Sequence, residues 1–136
     1  MAIGVGCEWG GADPLTGHPH NGEISNIVAG ALTAPAVFPK SNFVVWMSSC
    51  FNMDVSDVRA TQCYGLVGIH AGDNGNQFAP EAYKELVGTG IKVRGIGCPK
   101  VTGEAIRVTG KGSATPTILP MAVEIDGVRA IADPAA

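Results

Sequence analysis

Asn21-Gly22-Glu23-Ile24-Ser25-Asn26-Ile27-Val28-Ala29-Gly30-Ala31-Leu32 is the stretch on which the reading of this chain turns. Its apolar side chains at 24, 27, 28, 31 and 32 recur at the i, i+3, i+4, i+7, i+8 spacing of one helical face. Asn21 suits an amino-terminal cap, and Pro35 ends the pattern. The periodicity predicts an amphipathic helix here, and the helix then dictates how the flanking segments are joined.

Before it, Ile3, Val5 and Cys7 alternate with small residues, as in a short strand. After it, Phe43 to Met47 is a continuous apolar run with β-branched and aromatic content, as in a strand covered on both faces. Asp54 to Gln62 reads as a short or irregular helix, and Tyr64 to His70 as a third strand. Pro80 at a first helical position, an apolar side formed by Ala82, Tyr83, Leu86 and Val87, and Gly88 as a stop predict another helix. Ile91 to Gly97 follows, with Lys92 and Arg94 marking a wet face.

Strands alternating with helices require crossover connections, which make neighbouring strands parallel. The expected class is therefore α/β, a small mostly parallel sheet of β-α-β-α-β-α-β order in a single domain spanning 1–136. Residues 99–136 change character. Glu104 to Thr109 is a further strand, and Asp126-Gly127 between Met121 to Ile125 and Val128 to Ile131 predicts an antiparallel hairpin. This β-rich carboxyl-terminal extension belongs to the same domain.

Composition narrows the partners. Charged residues are only 15% of the chain against 46% apolar, so the surface has area to give to another subunit, and a homo-oligomer is expected. Net charge is −3 and no basic run interleaves with aromatics, which argues against nucleic acid. Glu8 interrupts any amino-terminal apolar region, and no stretch reads as a bilayer span, so a cytoplasmic protein without a membrane partner is expected. The four cysteines match neither a CxxC pair nor a compact disulfide framework.

Chemistry concentrates where apolar runs stop. Cys7, Cys50, His70 and Cys98 each end such a run, and parallel strands would gather them along one carboxyl edge, where open α/β sheets bind ligands. Cys50 or Cys98 is the candidate nucleophile or sulfur-handling thiol, with His70 as base and Asp73 to orient it. Buried free cysteines also serve as small hydrophobes, which is the competing use of the same residues.

Arg94-Gly95-Ile96-Gly97-Cys98-Pro99-Lys100 resembles the Arg-Gly-Leu-x-Cys-Pro element of small sulfur-carrier proteins of the TusA type, which implies a reactive Cys98 capping a helix. The second proline of that element is missing. His18 and His20, at i and i+2 in a Gly/Pro loop, join Cys7 as candidate ligands for zinc or iron. With Gly30, and with His70 and Asn74, they resemble the two cupin motifs, although Ala12 stands where a cupin has glycine. Trp9-Gly10-Gly11, Asp13-Pro14 and Thr16-Gly17 resemble a stretch of the small swivelling domain of aconitase-like dehydratases, without the spacing that follows it there.

Lys111 and Ser113, in Thr109-Gly110-Lys111-Gly112-Ser113, form a loop whose amides and lysine suit an anionic group of a cofactor, without P-loop spacing. These residues together predict a small enzyme using thiol or metal-assisted chemistry on a small, anionic substrate. The alternatives are a non-catalytic shell or coat subunit and a cupin-like metal-binding protein.

Overall fold

A computed structural model describes residues 3–6, 20–32, 43–48, 50–70, 88–109 and 122–133. The regular elements among them are eight strands: β1 (Ile3–Gly6), β2 (His20–Ala31), β3 (Phe43–Ser48), β4 (Phe51–Gln62), β5 (Gly65–His70), β6 (Ile91–Val101), β7 (Ile106–Thr109) and β8 (Val123–Ala132). Odd-numbered strands form one four-stranded sheet in the order β1-β3-β5-β7, and even-numbered strands form another in the order β2-β4-β6-β8. Every pairing in both sheets is parallel.

The mostly parallel, single-domain α/β-like class expected from the sequence holds, and the crossovers differ from the expectation. A parallel pair needs a long return path. Here that path is a strand of the other sheet, so the chain coils through four turns, each of one short and one long strand. Two residues, 49–50, join β3 to β4, and Cys63-Tyr64 joins β4 to β5. Between the sheets lies one continuous core that includes Val45, Met47, Val55, Val58, Leu66, Val67, Ile69 and Val93, all essentially inaccessible to solvent. Each such side chain contributes about 1.5–3 kcal/mol by leaving water.

The segment expected to be a helix from Asn21 is the extended strand β2. Its helix-like spacing has a local cause: Asn26 has left-handed backbone, φ 57°, which bends the strand and shifts its in/out alternation by one residue. Ile24 and Ala29 are buried on either side of the bend, Ile27 packs on the core, and Val28 is 81% exposed. Three-residue spacing across a bend mimics one helical turn. Asp54 to Gln62, also expected to be helical, lies in β4 and bends in the same way at Asp57, φ 51°.

Asp126-Gly127, expected to reverse the chain, instead lies inside β8, which stays parallel to β6 on both sides of Gly127. Gly127, φ 64°, stacks on Gly95, φ 59°, so the turn signal makes a bend and not a reversal. Register aligns the four bends Asn26, Asp57, Gly95 and Gly127 in one column. Asparagine, aspartate and glycine are the residues that tolerate this conformation. Asn21, Asn52 and Gly90 form a second such column at the start of the long strands, where the Asn52 side-chain amide donates to the Asn21 side-chain oxygen. The helix expected over Pro80 to Val87 lies outside the described residues.

Candidate functional site

The carboxyl ends of the short strands line up along one edge, and His70 lies on it. Gly6, Ser48, His70 and Thr109 are register partners at the ends of the four short strands. His70 Nδ1 lies 2.7 Å from Thr109 Oγ1, and that hydroxyl donates its one proton to the Ile69 carbonyl, 3.2 Å away. Thr109 engages this ring nitrogen, whereas Asp73, expected to orient the imidazole, lies outside the described residues. The imidazole stacks on Trp46 at 6.1 Å. Trp46 and Phe43 are buried outside the central core, Phe43 beneath Arg107, whose hydrogen bonds hold the Glu104 carboxyl below its usual range.

Of the thiols expected at this edge, Cys98 lies in the other sheet, Cys50 lies just beyond the edge, and Cys7 lies outside the described residues. Cys50, just past β3, belongs to the central core and donates to the carbonyls of Ser48 and Val5. Cys98 is inside β6, in the other sheet, and donates to the Lys100 carbonyl at 3.3 Å. No helix begins at Pro99, as the sulfur-carrier resemblance implies; the proline continues β6 at a register irregularity, where the missing N–H is tolerated. Cys63, which the sequence did not single out, contacts Cys98, and burial together with that neighbour raises its thiol to about 12. Cys50, Cys63 and Cys98 are each at most 2% exposed.

Of the proposed metal ligands, His20 is exposed and stacks on Phe51 at 4.7 Å, whereas Cys7 and His18 lie outside the described residues, as do Lys111 and Ser113. Among the described residues no three His, Cys, Asp or Glu side chains are grouped to hold a metal ion. Among the described residues there is no helix long and apolar enough to cross a membrane.

An open groove lies instead on the outer face of the long sheet, beyond the column of bends. Arg59, Gly97 and Arg129 are consecutive register partners on β4, β6 and β8. Gly97 leaves a gap between two guanidinium side chains, and the resulting groove has a volume of about 560 Å³. Its wall continues through Pro99 and Ile131, the latter 64% exposed, and among the described residues no acidic side chain lines it. Neither arginine is ion-paired among the described residues, in contrast to Arg94 with Asp54 and Arg107 with Glu104. Adjacent parallel strands lie about 4.8 Å apart, so the two arginines stand about 9.6 Å apart along the coil.

No protein-family model, curated protein or solved structure matches the chain. The functional reading therefore rests on the chemistry of the groove and the edge.

The sequence did contain a signal for the groove. Glu23-Ile-Ser-Asn-Ile-Val-Ala29, Asp54-Val-Ser-Asp-Val-Arg-Ala60, Lys92-Val-Arg-Gly-Ile-Gly-Cys98 and Glu124-Ile-Asp-Gly-Val-Arg-Ala130 share one pattern. It reads charged, β-branched, any, Asn/Asp/Gly, β-branched, any, small. The repeats fall at unequal intervals, so a search at fixed period passes over them. Once they are aligned, Val28, Arg59, Gly97 and Arg129 occupy one column.

Proposed function

We propose that this chain is a binding domain for anionic ligands, which it holds in the groove between Arg59 and Arg129. The observation that carries this reading is the register of Arg59, Gly97 and Arg129: two guanidinium groups flank a residue without a side chain, and among the described residues no acid pairs with them. Guanidinium is weakly hydrated and presents a planar fork of donors suited to carboxylate, sulfate or phosphate. In a chain of net charge −3, such a patch is a local exception to the overall field.

The thiol-enzyme reading draws less support, because a nucleophile needs access and a lowered pKa. Three thiols are buried and Cys63 is shifted the opposite way. Retention on heparin-agarose at low salt tests the proposal. The parent should be retained and the Arg59→Gln/Arg129→Gln variant should flow through, while Lys92→Gln/Arg94→Gln, which loses the same charge elsewhere, should still bind. Equal loss of retention in both double variants would reduce the effect to net charge and overturn the reading.

A further inference from the structure

We propose that the ligand is a linear acidic oligosaccharide lying along the coil axis, with its acidic groups on every second sugar engaging Arg59 and Arg129. This rests on the anion-binding reading above and adds the ligand's class, direction and repeat.

The row Val28, Arg59, Gly97, Arg129 runs from turn to turn, perpendicular to the strands. Its pitch is set by the backbone ladder and not by side-chain choice, so it is rigid and about 4.8 Å per step. A pyranose unit advances its chain by close to one such step, so alternate units fall opposite the two arginines, and the middle unit sits over Gly97. Backbone is closest to the surface there, which leaves room for a ring instead of a single anion.

Beside this row, exposed Pro99 and Ile131 give an apolar shelf within the same groove. An apolar shelf flanked by two cations matches a molecule with an apolar ring face and an acidic edge. A nucleic acid would ask for aromatic stacking partners, and among the described residues none lines the groove. Gly97 has no left-handed backbone, and an added Cβ would make only ordinary contact with the Arg129 carbonyl at 3.4 Å, so the fold itself does not require glycine at this position.

Calorimetric titration with galacturonic acid and its dimer, trimer and hexamer tests the proposal on the whole chain. Affinity should rise about tenfold from monomer to trimer, the value of one added charge-assisted contact, and level off beyond it. In Arg129→Gln the trimer should bind no better than the monomer, and Gly97→Leu, which fills the gap, should remove the trimer's advantage while thermal unfolding stays within a few degrees of the parent. A trimer no tighter than the monomer, with both lost in the double arginine variant, would overturn the two-turn ligand and leave the anion groove standing. No binding of any acid would overturn both. Tighter binding of an oligothymidylate than of the hexamer would assign the groove to nucleic acid and overturn the saccharide.

Discussion

Replacing Asn26 by alanine and, separately, by glycine gives opposite orders of stability for a bend and for a helix. At φ 57° the asparagine occupies left-handed backbone, with an exposed side chain that makes no hydrogen bond among the described residues. Alanine there carries the steric penalty of an L-residue without asparagine's local compensation, about 1–2 kcal/mol before the partial offset of a less mobile unfolded chain. A net loss of about 1 kcal/mol is expected, which lowers the melting temperature by about 4 °C for a chain of this size. Glycine removes the Cβ penalty but adds unfolded-state entropy, so Asn26→Gly should fall within about 0.5 kcal/mol of the parent. In a helix the order reverses, because alanine gains about 0.6 kcal/mol over asparagine and glycine loses. Urea and thermal unfolding followed by circular dichroism measure both. An alanine variant at least as stable as the parent, with a glycine variant below it, would refute the bent-strand assignment.

Gly68→Ala would overlap the Trp46 ring that lies across the glycine, so it should destabilise by about 2 kcal/mol or more and alter tryptophan fluorescence. Alkali should weaken the fold through Cys63. The native thiol keeps its proton to about 12 while the unfolded chain releases it near 9.0, so the native state binds more protons in that window and stability falls as pH rises through it. The loss reaches about 4 kcal/mol at most and should be absent in Cys63→Ala, read from urea midpoints at pH 8 and pH 10.5. Gly97→Glu places a carboxylate between the two arginines, so heparin retention should vanish, while stability at pH 7 should rise by about 0.5 kcal/mol through cross-strand pairing and return to the parent's at pH 3.

Much of the fold was legible where local pattern and tertiary use agree. The apolar runs ending at Cys7, Met47, His70 and Gly97 correspond to β1, β3, β5 and the first part of β6; the parallel pairing of β1, β3 and β5 followed from the need for crossovers, whereas β6 belongs to the other sheet. The long strands were misread because left-handed residues reset the alternation in mid-strand: Ile24 to Ile27 and Val55 to Val58 are three apart, and period three imitates a helix. Asp126-Gly127 failed for a related reason, since the same dipeptide can reverse a chain or bend it, and only the stacking on Gly95 selects the bend.

At the site, the sequence located His70 and the carboxyl edge but not Thr109, which reaches His70 through register and not through proximity in sequence. Cys50 and Cys98 drew attention as reactive groups, whereas their burial is a property of the two sheets closing over them. Arg59 and Arg129 were invisible as a pair because unequal insertions separate turns that the fold stacks in register.

Amide chemical-shift mapping in ¹⁵N-labelled protein titrated with the galacturonate trimer tests the central claim most directly. Binding between the arginines predicts the largest perturbations at Arg59, Gly97 and Arg129, with Ile69, His70 and Thr109 unmoved. Perturbations centred on His70 and Thr109, with the arginine column unmoved, would contradict it and return function to the carboxyl edge of the short sheet.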